Sequence, residues 1–258
     1  MNSNFKNILK IVFIKLKILG FDIRKIISFK NYPKFKKQKK EWINQGGKIT
    51  HSHMILSNYS GPAGNSKSHY FHQDLLVAKY IYKHKPSRHI DVGSRFDGFV
   101  AHVASYREIE VLDIRPMTES GHSNIKFLKA DLMCPQEIGY TDSLSCLHAI
   151  EHFGLGRYGD PIDVDGHNKG IKNLVSLLKN KGRMYISFPI GKKNEVHFNA
   201  HRVFHPEYIF KHPSIKEFMK LLRFDYVDDR GDLHVDTSID KINKNIRLGC
   251  GIYTFEKY

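Results

Sequence analysis

The sequence predicts an α/β fold: a mostly parallel, seven-stranded sheet flanked by helices and preceded by a basic amphipathic helix. Three observations carry this. From residue 70 onward, short β-rich runs alternate with helical stretches, the pattern of parallel strands joined by crossover helices. A chain of 258 residues with 41% hydrophobic content can bury one full core. The formal charge of +15 is lopsided, because residues 1–50 hold 13 Lys or Arg against 2 Asp or Glu and so supply +11 of it.

The basic arm comes first. In FKNILKIVFIKLKIL, residues 5–19, the longest apolar run is the four residues Ile11–Ile14. A membrane-spanning helix needs about 20 mostly apolar residues, so none is expected here, and no small-residue cleavage pattern marks a secretory signal. At about 100° per residue, Lys6, Lys10 and Lys17 share a narrow arc opposite Phe5, Ile8, Leu9, Val12, Leu16 and Leu19, with Lys15 on the wrong side. Together with KFKKQKK at 34–40, this suits an anionic membrane surface through residues 5–40. The competing reading is a helix packed on the body plus a solvated charge run. Residues 1–50 are thus an arm, 51–69 a linker containing SNYSGPAGNSKS, and 70–258 the folded domain.

Within that domain the expected strands are HIDV (89–92), IEVLD (109–113), IKFLK (125–129), SLSCLHAI (143–150), RMYISFP (183–189), FDYVDD (224–229) and CGIYTFE (250–256). Helical patterns cover Phe71–Lys83, Lys169–Leu178 and about Pro206–Leu222. Cys134, Cys146 and Cys250 have no CxxC spacing, which predicts neither a disulfide framework nor a zinc site and fits a reducing interior. The 16 histidines are scattered and carry no metal reading.

In open parallel sheets, ligands bind outside the carboxyl ends of the strands, and the first strand-to-helix turn carries the glycines. HIDVGSRFDGF places Gly93 directly after the first strand, with Asp91 just before it. Asp113 ends the second strand 22 residues after Asp91, where a carboxylate can receive a pair of ribose hydroxyls. Asp131, in KADL, ends the third strand within reach of an adenine amino group. Three acids at the ends of three successive strands describe an adenosine site.

The ordered series HIDVGSRFDGF, IEVLDIRP, FLKADL, LHAIEHFG and GRMYISFPIG resembles the motifs of class I methyltransferases, which use S-adenosylmethionine (SAM), over about residues 70–258. FDYVDD and CGIYTFEK look like the terminal strands of that Rossmann-like fold, which implies that the last strand is antiparallel. More specifically, YFHQDL, HIDVGSRFDGFVAHV and EHFGLGRYGDPID are similar to motifs of an uncharacterised family found in bacteria and nematodes. Its bacterial members are associated with surface-polysaccharide genes. The resemblance implies SAM as cofactor, with Asp91, Gly93, Ser94 and Arg95 at the turn and Asp113 on the ribose. It places Asp131 on the adenine and Glu151 beside His152 after the fourth strand. The family turn has three alternating glycines; here Arg95 and Asp97 replace the second and third, and Gly98 comes one place late. Arg95 then either occludes the ligand or reaches its carboxylate, and the intact remainder of the site favours the second.

Methyl transfer to oxygen calls for a base near the hydroxyl proton, and His152 leads the candidates, against a packing role. Glu151 reads as an orienting carboxylate. His201 and Arg202, in FNAHRVFHP, are expected at the rim, where Arg202 would recognise an acidic sugar or phosphate unless it is a surface ion-pair partner. The segment Gly154–Gly170 reads as a substrate-closing loop. Its Asp160, Asp163, Asp165 and His167 could donate to a divalent metal, but their spacing matches no EF-hand or zinc pattern, so no metal is expected. His72 and Asp74 of YFHQDL are placed to face the acceptor, or lie on an ordinary helix surface.

The function expected is SAM-dependent O-methylation of a sugar hydroxyl on a surface glycan or its lipid-linked precursor. It would take place in the cytoplasm, at the inner face of the membrane. The alternative is an inactive methyltransferase-fold binding module docked at the membrane, its site closed by Arg95. Nucleic acid is not an expected partner, because outside residues 1–50 the chain carries only +4 and no RNA-binding module.

Overall fold

The computed structural model describes residues 15–16, 20, 23–60, 64, 66–117, 120–243 and 245–258. The chain divides into two compact units, residues 1–65 and 66–258. In the first, α1 (Ile23–Ser28) passes through a 3₁₀ turn, Phe29–Asn31, into α2 (Tyr32–Asn44). Pro33 fits the start of α2 because a first-turn N–H has no intrahelical partner to lose. The lysine cluster lies on α2, which buries none of its residues. The Asn31 amide donates to the Leu56 carbonyl at 2.9 Å and tethers the segment that follows. The basic helix expected over residues 5–19 lies outside the described residues, Lys15 and Leu16 apart.

The second unit contains β1 (His89–Val92), β2 (Ile109–Asp113), β3 (Ile125–Lys129), β4 (Thr141–Leu147), β5 (Leu178–Ile190), β8 (Met219–Val227), β9 (Leu233–His234) and β10 (Gly249–Lys257). These form one sheet in the order β3-β2-β1-β4-β5-β10-β8-β9. A separate hairpin pairs β6 (Glu195–His197) with β7 (His201–Val203). Strands β1 to β5 are mutually parallel, and β10 is antiparallel to both its neighbours, β5 and β8. The helices are α3 (His69–His84), α4 (Ala101–Ala104, entered through a π turn at Phe96–Val100), α5 (Gly166–Leu177) and α6 (Pro213–Phe218).

Strand alternation divides the core between the two faces. Ile109, Val111 and Tyr185 pack with Leu76, Val77 and Ile81 of α3 on one side. Leu112, Met184, Ile186 and Phe188 pack with Leu174 and Val175 of α5 on the other. Helix α3 is fixed at its start by Ser68, whose hydroxyl accepts from the Phe71 N–H at 3.1 Å, and at its end by Lys85 in the left-handed region.

The expected bounds of the first three strands coincide with β1 to β3. The sheet has eight strands rather than seven, because the two-residue β9 is too short to show a pattern. Two three-residue strands, β6 and β7, lie between β5 and β8, where no strand is expected. The helix expected over about 206–222 is a 3₁₀ turn, Tyr208–Lys211, followed by α6, since Pro213 cannot continue a preceding helix. Residues 219–222 belong instead to β8, where Met219, Lys220 and Leu221 pair with β10.

Candidate functional site

Along the carboxyl edge of the parallel strands, the order reverses between β1, which leads to β2 and β3, and β4, which leads to β5. Such a reversal opens a crevice. A partly open cavity lies there, bounded by residues at the ends of β1 to β4.

Gly93 forms its floor. The residue has φ +72°, its N–H donates to the Leu112 carbonyl at 2.9 Å, and a Cβ there would stand 2.9 Å from the Ala149 Cβ. Glycine answers both demands. Asp91 is fully buried below the turn and does not line the cavity. Its carboxylate accepts from the Ser94 N–H at 3.1 Å, the Ser94 hydroxyl at 2.8 Å and the Ser145 hydroxyl at 2.5 Å. Asp91 and Ser94 therefore hold the turn rather than touch a ligand. Burial pushes the Asp91 carboxyl up to about 7, against the lowering effect of the serine bonds.

Asp113 and Asp131 both line the cavity. The Arg115 guanidinium grips Asp113 at 2.9 and 2.6 Å and lies 4.4 Å from the ring centroid of Tyr158, another lining residue. Asp131 accepts the Met133 N–H at 2.9 Å. Ala130, Leu132 and Met133 give that end of the cavity apolar walls, a slot suited to a flat heterocycle with a polar edge.

The other end is built by the 3₁₀ turn Ile150–His152 after β4. His152 lines the cavity, and its Nδ1–H donates to the Ala200 carbonyl at 2.7 Å, which leaves Nε2 as the proton acceptor. Burial holds this imidazole below its ordinary value, although Glu151 opposes the shift. Glu151 is buried outside the cavity lining and accepts the His148 Nδ1–H at 2.8 Å. His148 lines the cavity with φ +49°.

Other expected site residues lie elsewhere. Arg95 neither fills the cavity nor lines it: its guanidinium is turned to solvent and held by Asp97 at 3.0 and 2.7 Å. Gly98 takes a backbone conformation in which a Cβ would stand 2.7 Å from the Asp74 carboxylate. Arg202 is buried, not at the rim, and donates to the main-chain carbonyls of Glu151 and Phe153 at 3.3 and 2.7 Å. Its β-strand neighbour His201 also lies off the cavity, its ring 5.0 Å from that of His197. His72 donates to the Gly231 carbonyl at 3.1 Å. Asp74 is buried, which raises its carboxyl to about 6.

The segment after β4 is an ordered turn that gives way to α5 at Gly166. Asp160 accepts the N–H groups of Gly154, Gly156 and Tyr158, Asp163 pairs with Lys169 at 2.6 Å, Asp165 accepts from Asn168, and His167 meets the Tyr208 hydroxyl. Those separate engagements do not converge on a cation. Among the described residues, the three donors that do converge are His69, His148 and Cys250.

A family model described as "Caenorhabditis protein of unknown function, DUF268" matches residues 123–243, less than half of the chain. No curated protein matches it in sequence. Among solved structures, N-methyltransferase NodS from Bradyrhizobium japonicum WM9, in complex with S-adenosyl-L-homocysteine, is 12% identical with a TM-score of 0.51, over 74% of this chain and 88% of that one. The 1,6-didemethyltoxoflavin-N1-methyltransferase of Burkholderia thailandensis, with bound 1,6-didemethyltoxoflavin and S-adenosylhomocysteine, is 13% identical with a TM-score of 0.51, over 72% of this chain and 78% of that one. The [4+2]-cyclase SpnF is 14% identical at 0.51, over 83% and 90%. The chain has the class I methyltransferase fold. Two methyltransferases and a cyclase share it, so the reaction must be argued from the site.

Sequence reasoning missed His148, Arg115, Met133 and Tyr158 as site residues. A signal existed for the first: His148 and Glu151 stand three apart in LHAIEHFG, a spacing that meets on a helical turn.

Proposed function

We propose that this chain is a SAM-dependent methyltransferase that transfers the methyl group to a hydroxyl oxygen. The observation that carries the proposal is the crevice itself. An apolar slot holds Asp131 at one end, Asp113 midway and the close-approach turn at Gly93, at the point where strand order reverses. These residues fit SAM: Asp113 would receive the ribose hydroxyls, Asp131 and the walls around Met133 the adenine, and Gly93 the chain toward the sulfur. When bound, SAM supplies an electrophilic methyl group on its sulfonium. His152 offers Nε2 to an acceptor proton, with Nδ1 fixed on Ala200, and its lowered proton affinity keeps it neutral near pH 7.

The acceptor we assign is a sugar hydroxyl of a surface glycan or its lipid-linked precursor, on the strength of the motif resemblance. In residues 1–65, exposed Ile26, Ile27, Phe29, Trp42 and Ile43 accompany the lysines of α2 and support docking on an anionic membrane face. No helix among the described residues is long and apolar enough to cross a membrane. The closed-site binding module loses its main support, because Arg95 stands outside the cavity.

Calorimetric titration of SAM into the full chain, with Asp113→Ala as control, tests the cofactor assignment. Micromolar binding lost in the variant supports it; no heat from a folded sample overturns it. Label transfer from methyl-labelled SAM to sugar nucleotides and lipid-linked sugars then tests the acceptor.

A further inference from the structure

We propose that His69, His148 and Cys250 form a binding site for a zinc-class divalent cation. Far apart in sequence, they meet because of topology. His148 follows the carboxyl end of β4, Cys250 begins β10, and His69 opens α3. Since β10 runs antiparallel, its start lies at the same sheet edge as the end of β4. One ligand atom from each residue lies within 4.8 Å of the other two.

The strongest sign of a ligand is His148. It is only 8% exposed, and its Nε2 is buried without a hydrogen-bond partner. A buried polar atom left in this way destabilises the fold unless something satisfies it. Its Nδ1–H donates to Glu151 at 2.8 Å, so the direction in which Nε2 points is fixed. A metal-binding histidine with a carboxylate on its other nitrogen is the usual arrangement, because the carboxylate sets the tautomer and raises the basicity of the ligand. His69 is half-buried and stacks on His148, the ring centroids 5.5 Å apart. The fully buried Cys250 sulfur already faces His148, and its other contacts are long, 3.8 Å each, with the Gln73 side chain and the Gly251 carbonyl.

Two imidazoles and a thiolate select zinc and its neighbours over magnesium or calcium, which prefer oxygen. Tetrahedral bonds of about 2.0–2.3 Å put donors about 3.5 Å apart. The three must therefore close by about 1 Å from their 4.8 Å limit, chiefly by rotation of the half-buried His69 ring. Three protein ligands leave a fourth position open, as in sites that bind water or substrate. His148 also lines the cavity, so the ion would border its acceptor end. That last placement rests on the cofactor reading; the metal site itself does not.

The test is cobalt(II) titration of the metal-stripped full chain, followed by visible absorption, alongside metal analysis of the protein as purified. One equivalent of cobalt with tetrahedral bands and a thiolate-to-cobalt charge-transfer band is expected. Cys250→Ser should remove the charge-transfer band and His69→Gln should weaken binding, while Cys134→Ser, at an exposed cysteine, should leave the spectrum unchanged. Glu151→Gln should lower affinity roughly 10–100-fold. No stoichiometric binding to the wild-type chain, or a spectrum indifferent to Cys250 and His69, overturns the site. If Cys250→Ser does not fold, the wild-type charge-transfer band and His69→Gln still decide it. SAM titration of the same preparation separates the two proposals: heat without cobalt bands removes only the metal site, and cobalt bands without heat remove only the cofactor assignment.

Discussion

Replacing Gly93 by alanine tests whether the turn is dictated by backbone geometry and close packing together. At φ +72° an L-residue pays about 1–2 kcal/mol for the left-handed region. The added methyl would also stand 2.9 Å from the Ala149 Cβ, and overpacking of this kind adds about 1–3 kcal/mol. Gly93→Ala should therefore cost about 2–5 kcal/mol in all. Ala149→Gly removes the clashing methyl; alone it costs about 1 kcal/mol for the lost buried group. Combined with Gly93→Ala it should restore the clash component, a coupling of about 1–3 kcal/mol, and leave the strain in place. Urea unfolding of the four proteins, compared at equal denaturant slopes, measures the cycle. A coupling below about 0.5 kcal/mol would mean that the contact is relieved by movement and that Gly93 is required for its backbone alone.

Asp113→Asn keeps the shape of the side chain but removes the charge from hydrogen bonds worth about 1.5–3 kcal/mol, so SAM affinity by calorimetry should fall roughly 10- to 150-fold; unchanged affinity would take Asp113 out of the site. Because burial holds His152 below its ordinary value, methyl transfer should be flat from pH 7 to 8 and decline only on the acid side of 6.5, with kcat reduced about 10²–10⁴-fold in His152→Gln. A rate still rising above pH 7 would contradict this. The Asp91 carboxyl keeps its proton to about 7 when folded and releases it near 3.8 when unfolded, so the native state binds more protons between those values. Stability contributed by this group is therefore complete below about pH 4 and declines as pH rises to about 7, by about 4 kcal/mol in total. The stability difference between wild type and Asp91→Asn, followed by urea unfolding across that range, should move by this amount; a constant difference would show that Asp91 is ionised throughout.

The sheet was legible because parallel strands covered on both faces are short, nearly continuous apolar runs. HIDV and IEVLD stand out between polar turns, and their burial is close to complete. Asp113 and Asp131 were legible for a related reason: each follows directly from the end of a strand, and strand ends fix where side chains arrive. What failed was anything decided across the sheet. Arg95 reads from sequence as a partner for a ligand carboxylate, but in the fold Asp97, two residues away, takes its guanidinium in a paired contact. Arg202 was read as a rim cation, yet the carbonyls of Glu151 and Phe153 sit 2.7–3.3 Å from its guanidinium only after β7 packs beneath the turn. Cys250 and His69 are 181 residues apart, so only the antiparallel course of β10 could reveal them as neighbours.

The short turn after β4 explains why so much chemistry gathers there. His148 and His152 each donate Nδ1–H to a fixed acceptor, one to Glu151 and the other to the Ala200 carbonyl. Each therefore presents Nε2 in a set direction, without needing to search tautomers or rotamers. Glu151 lies between them, 2.8 Å from His148 Nδ1 and 3.8 Å from His152 Nε2, while Arg202 holds the carbonyls on either side of His152. Such a turn is rigid where a loop would be mobile. Rigidity of this kind is what a proton acceptor needs beside a methyl donor, because misplacement by even 1 Å costs orders of magnitude in rate. The same rigidity fixes His148 against Cys250, so a cation at one end of the turn and a base at the other would share one scaffold. An ion bound by His148 would then stiffen the segment that carries His152 as well as border the acceptor.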